Sequence, residues 1–211
     1  MKNNLKIDIV SDLVCPWCYI GQKRLQDALL LAGYDTQIEW KPYQLHPEIN
    51  KSGVEKNLFL SDKFGSESEN LYDHVKEIAA AESLEMNPEL IKNIPNTFET
   101  HRLMWYAKQK RRDYQLAKIL FEGYFAKGKD FSRTETLVEL GMLAGLNKEE
   151  LMDFFESDSG KDEVTKEEKK YRDAGITAVP TYIINDKYMI QGAQTADVFL
   201  EAFKQLKSEF S

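Results

Sequence analysis

The sequence predicts an α/β fold interrupted by a large helical block, and three stretches carry that reading. From Leu5 to Trp40 the pattern runs strand, helix, strand. From about Val54 to Asp173 helical patterns follow one another with almost no strand signal. From Thr181 onward two strands and a helix return. A chain of 211 residues is long enough to close a sizeable core around such an arrangement.

LKIDIV (Leu5 to Val10) alternates apolar Leu5, Ile7 and Ile9 with polar Lys6 and Asp8, the period of a strand. A helix is expected from the following cysteine motif to about Ala32. Cys15, Cys18, Leu25, Leu29 and Ala32 share one side of it, and Gly33 serves as its stop. TQIEW (Thr36 to Trp40) is the second strand, halted by Pro42. Within the block, VEKNLFLSDKF ends at Gly65 and ENLYDHVKEIAAAESL has an alanine-rich helical composition. Asn96 precedes TFETHRLMWYAKQK with Glu99 three residues on, which predicts a capping box. DYQLAKILFEGYFA, TETLVELGMLAGL and NKEELMDFFES are further helices, and KDEVTKEEKKYRDAG (Lys161 to Gly175) is a solvated one. TYIIN and KYMIQ flank a tight turn at Asn185-Asp186, the signature of a hairpin. Thr195 can cap a last helix striped by Phe199, Ala202, Phe203 and Leu206. The segments so defined are 1–48, 49–171 and 172–211.

Composition narrows the function classes. Hydrophobic residues make up 42% and charged residues 30%, an ordinary globular mixture. A net charge of −7 with no strongly basic lobe argues against nucleic acid as the main partner. The densest basic run, KQKRR (Lys108 to Arg112), suits an exposed helix end, where cations complement the dipole. No segment approaches the roughly 20 apolar residues of a membrane span. MKNNLKIDIVSD is broken by charges and lacks a signal-peptide apolar run, so a cytoplasmic location is expected.

The only two cysteines stand in SDLVCPWCYIG (Ser11 to Gly21). In a reducing compartment such a pair is catalytic or metal-binding more often than structural. A structural zinc site normally takes four ligands. No second cysteine pair exists, and His46, His74 and His101 have no metal-site spacing. Redox chemistry has a positive argument. Cys15 sits at the start of a helix with Pro16 at its first position, where a missing N–H is harmless. The free N–H groups of a first helical turn favour negative charge, and hence a thiolate at Cys15. Cys18 lies one turn deeper on the same side, within reach of a disulfide. The expected roles are nucleophile for Cys15 and resolving thiol for Cys18. Asp8 on the first strand and Asp12 just before the motif are both candidate proton acceptors for Cys18.

SDLVCPWCYIG, Asn96-Thr97 with His101-Arg102-Leu103, and GITAVPTYIIN with GAQTADVFLEAF together span nearly the whole chain. On these landmarks the chain resembles the DsbA-like branch of the thioredoxin superfamily, and within it FrnE-like proteins, relatives of 2-hydroxychromene-2-carboxylate isomerases. The resemblance implies a thioredoxin-like fold with a large all-helical insertion and thiol–disulfide oxidoreductase or isomerase activity. It also implies a cis Val179-Pro180 bond facing Cys15, a loop that contacts bound peptide and keeps metals from the dithiol. By position, Val179, Pro180 and Thr181 would contact substrate, and Pro16 and Trp17 would tune potential and fit. Asn96, His101 and Arg102 fall in the region that in the isomerase-like relatives lies near a glutathione or substrate pocket, where an arginine could hold a carboxylate; His101 and Arg102 could instead satisfy local hydrogen bonds on a helix. Disulfide-containing proteins or small disulfides are the implied partners, without cofactor beyond glutathione as redox partner. The alternative activity is a glutathione-dependent isomerase or transferase; those relatives typically carry serine at the position of Cys15.

Overall fold

The computed structural model describes residues 4–65 and 71–209. Strand β1 (Asn4–Ser11) feeds helix α1 (Pro16–Ala32), which returns the chain to β2 (Asp35–Pro42), parallel to β1. Gly33 ends α1 in the left-handed conformation, φ 66°, and its N–H bonds to Leu29 O at 3.0 Å. Burial on α1 turns slightly from the expected stripe. Leu25 and Ala28 are buried, whereas Leu29 and Ala32 are half-buried.

Among the described residues the insertion is helical with one exception. Strands β3 (Val54–Glu55) and β4 (Asn93–Ile94) form an antiparallel pair. A two-residue strand carries no periodicity, so the pair is invisible to pattern reading. Glu55 then caps α2 (Lys56–Phe64), accepting from the N–H groups of Asn57 at 3.0 Å and Leu58 at 2.7 Å. Helix α3 covers Leu71–Ala81. Glu69 and Asn70, from which that helix is expected to start, lie outside the described residues.

Helix α4 (Phe98–Gln109) begins without the expected capping box. Asn96 Oδ1 accepts from Phe98 N–H at 2.9 Å in a short turn, and Glu99 pairs forward with Arg102. Lys108 to Arg112 are exposed at the far end of α4. Helix α5 (Asp113–Phe121) widens into a π-turn over Glu122–Ala126. There follow α6 (Thr134–Leu143), α7 (Lys148–Glu156), capped by Asn147, and α8 (Lys161–Asp173). Only Val164, Glu168 and Tyr171 of α8 are buried, so the rest of that charged segment faces solvent or its rim.

Strands β5 (Thr181–Ile184) and β6 (Tyr188–Gln191) complete the sheet in the order β2-β1-β5-β6, and α9 (Ala196–Glu209) packs beside α1. Asn185 and Asp186 have φ of 51° and 55°, the backbone that a two-residue hairpin turn requires. Both faces of β1 are covered, which buries Asp8 together with Ile7 and Ile9. Aromatic packing seats the insertion on α1: Tyr19 stacks on Phe125 at 5.3 Å and on Phe121 at 5.7 Å.

Candidate functional site

The sheet register builds the site. Val10 near the end of β1 pairs with Thr181 at the start of β5, so the two loops leaving this edge meet. One carries the cysteine motif; the other carries Val179-Pro180, whose peptide bond is cis. Thr181 Oγ1 donates to Ala178 O at 2.8 Å, and Pro180 O accepts from Gly192 N–H at 2.8 Å, fixing the second loop at both ends.

Cys15 is the N-cap of α1, with extended backbone (φ −84°, ψ 116°) and Pro16 at the first helical position. Its carbonyl accepts from Cys18 N–H at 3.0 Å and Tyr19 N–H at 3.2 Å, and its own N–H donates to Asp12 O at 3.1 Å. The Cys15 sulfur lies 3.7 Å from Val179 O, and Cys15 and Cys18 are 3.5 Å apart. Both are buried. Burial pushes the Cys18 thiol well above its ordinary pKa, and neighbouring Cys15 adds to the rise; the Ser11 hydroxyl and the Asp12 main chain offset part of it. Cys18 therefore holds its proton at neutral pH.

Trp17 stands 36% exposed beside the pair. Val14, Pro16, Trp17, Phe59 and Tyr72 share the wall of an apolar cavity of about 230 Å³. Burial, then the charge of Cys15, raises the Tyr72 hydroxyl to about 12. That aromatic comes from α3, and nothing in the sequence pattern sets it apart from the many other core aromatics.

The remaining expected residues divide. Asp12 is buried next to the motif: Oδ2 accepts from Leu45 N–H at 2.8 Å, and Oδ1 faces His101 Nε2 at 3.5 Å. Asp8 lies deeper, with Tyr171 Oη 3.4 Å and Lys41 Nζ 3.7 Å from its Oδ2. Asn96 anchors the loop after β2, donating to Ile49 O at 2.7 Å and accepting from Gln44 Nε2 at 3.0 Å. The geometry gives Arg102 the local hydrogen-bonding task that the sequence left open beside a substrate contact. The side chain is fully buried, and all three of its nitrogens are engaged. Nη2 reaches Ser157 O and Ser159 O at 2.8 Å, Nε reaches Ser159 O at 3.1 Å, and Nη1 pairs with Glu99.

Comparison with known proteins agrees with this architecture. A probable DsbA oxidoreductase, SCO1869 from Streptomyces coelicolor, superposes with a TM-score of 0.89 at 32% identity over 97% of this chain and 91% of that one. The uncharacterized protein YwbO of Bacillus subtilis (strain 168) is 27% identical over 198 residues, 93% of this chain and 94% of its own. A 2-hydroxychromene-2-carboxylate isomerase shares the fold at 14% identity, with a TM-score of 0.72 over 98% of this chain and 99% of that chain. The model of the DSBA-like thioredoxin domain matches residues 6–204, and the chain belongs to that family.

Proposed function

We propose that the protein is a thiol–disulfide oxidoreductase in which Cys15 attacks and Cys18 resolves. The observation that carries the reading is the placement of the pair: Cys15 is the N-cap residue of α1 with its sulfur 3.7 Å from Val179 O of the cis-proline loop, and Cys18 lies 3.5 Å from it, within the first turn of the helix. The Cys15 thiolate attacks R–S–S–R′, forming Cys15–S–S–R and releasing R′–S⁻. Cys18 then loses its proton and attacks the Cys15 sulfur, closing the Cys15–Cys18 disulfide and releasing R–S⁻. Two electrons pass from the dithiol to the substrate, and the reverse sequence oxidises a substrate dithiol. The bound chain would lie along Val179, Pro180 and Thr181, with Pro16 and Trp17 at its flank and a side group in the apolar cavity.

Protein disulfides or small disulfides are the substrates under this reading, with glutathione as the exchanging redox partner. The cytoplasm is its setting, a choice supported by cysteine usage confined to the motif. Among the described residues no helix is long and apolar enough to cross a membrane.

The test is Cys18→Ser. A dithiol enzyme then accumulates mixed disulfides on Cys15, visible by mass after alkylation, and Cys15→Ser accumulates none. A glutathione-dependent isomerase or transferase, whose fold is shared, would keep turning over with Cys18→Ser; that result sinks the proposal. A glutathione redox titration of the native protein then sets direction, since dithiols of this kind span about −120 to −270 mV.

A further inference from the structure

Three polar groups around one cavity are buried without a conventional hydrogen-bond partner among the described residues: Ser11 Oγ, Trp40 Nε1 and His101 Nε2. Their residues are 1%, 9% and 4% exposed. Leaving such groups unpaired costs free energy, so a site that gathers three of them suits a ligand that pairs them. All three residues line a cavity of about 420 Å³ between the sheet, α4 and α8. Small-molecule sites occupy roughly 300–1,000 Å³. Leu13, Met104, Trp105 and Val164 supply its apolar lining. The cavity shares no lining residue with the one beside the dithiol. Ser11 and Leu13 line the first, whereas Val14, Pro16 and Trp17 line the second.

We propose that this cavity is a second binding site, separate from the dithiol, for a small uncharged aromatic carboxamide. The donor set selects that class. The Trp40 indole can only donate, so the ligand must bring an acceptor, and a carbonyl is one. Ser11 Oγ and His101 Nε2 can each accept, so the ligand gains from carrying N–H groups as well. A carboxamide offers both on one planar group, and its ring packs on the apolar lining. The inference is independent of the dithiol reading.

Charge around the cavity argues for an uncharged ligand. Buried Lys41 is already met by Glu39 at 2.9 Å and Glu167 at 3.0 Å, and Lys108 by Glu39 at 2.7 Å. Glu163, Lys166 and Lys170 of α8 are exposed and keep their charges in water. Asp113 is half-buried in the first turn of α5, where the helix dipole favours it. A carboxylate or an ammonium entering the cavity would be desolvated without a free counter-charge to meet it.

The three tryptophans of the chain make the test direct, since Trp40 and Trp105 line this cavity and Trp17 the other. Their indole N–H signals are followed in proton–nitrogen spectra of the full chain, assigned with Trp17→Phe and Trp105→Phe. Benzamide is the probe, and benzoate is its charged counterpart. Benzamide should shift the Trp40 signal saturably and leave the Trp17 signal in place. Trp40→Phe keeps an aromatic ring but loses the donor, so affinity read at the Trp105 signal should fall about tenfold. Benzoate should bind the native protein at least that much more weakly than benzamide. A Trp40 signal that benzamide does not move overturns the site, as does a shift confined to Trp17. Equal affinity for benzoate and benzamide overturns the uncharged class. Should Trp40→Phe fail to fold, Ser11→Ala replaces it in the affinity comparison. Undiminished affinity in the variant that folds overturns the proposed anchoring, and should neither fold, the native Trp40 and Trp17 signals decide alone.

Discussion

Arg102 shows how a single residue can bear two readings until its neighbours in space are known. Beside His101 and after Asn96 it looks like a carboxylate holder, yet its guanidinium bridges α4 to the carbonyls that end α7 and precede α8. It also lies over the Phe154 ring at 4.8 Å. Arg102→Ala leaves Ser157 O and Ser159 O without their donor inside the fold. The expected loss is about 3 kcal/mol in urea denaturation, with the glutathione redox midpoint unmoved. A shifted midpoint at native stability would restore the substrate-binding role. The placement of Cys15 at a helix start and of Cys18 three residues on was legible from local chain geometry, whereas the cis Val179-Pro180 bond was legible only through the family resemblance. The approach of His101 to Asp12 was not legible. His101 reaches Asp12 only when α4 docks against the end of β1, and no spacing along the chain encodes that approach.

At the scale of elements, the seating of α1 against β5 depends on Gly21. A Cβ there would fall 2.2 Å from Tyr182 Oη and 3.1 Å from Pro180 Cγ. Tyr182 cannot swing aside cheaply, since it is fully buried and packs edge-on against Phe199 at 4.9 Å. Gly21→Ala should therefore push α1 from the sheet at the level of the cis-proline loop. The expected loss is about 1–3 kcal/mol in thermal unfolding, with altered reactivity of Cys15 toward the aromatic disulfide reagent. Native stability and native Cys15 rates together would show that the helix is not seated by this contact. Elements with strong periodicity, such as β1, α1 and α9, were readable from sequence. The failure of the capping box at α4 has a competing cause: Asn96 spends its amide on Ile49 O and Gln44, because the loop after β2 passes beside it.

At the scale of the molecule, the insertion is fastened to the sheet by charge as well as by aromatic packing. Glu39 on β2 meets Lys108 of α4 at 2.7 Å and Lys41 at 2.9 Å, and Lys41 in turn meets Glu167 of α8 at 3.0 Å. Hydrogen bonds from Lys108, then Lys41, hold the Glu39 carboxyl at about 2 against an ordinary 4.5. Burial works to lower the Lys41 ammonium's pKa, but its bonds to Glu39 and Glu167 outweigh that and raise it. A carboxyl whose folded pKa lies below its unfolded value binds fewer protons when folded. Its contribution to stability is thus complete above about pH 4.5 and disappears as pH falls toward about 2. Glu39→Gln should be less stable than the native protein at neutral pH in urea titrations followed by tryptophan fluorescence. The two proteins should converge as pH drops through that window. A stability difference that stays constant from neutral pH to the acid limit would mean that Glu39 acts by packing rather than charge, and that the insertion is held to the sheet by its aromatic contacts with α1.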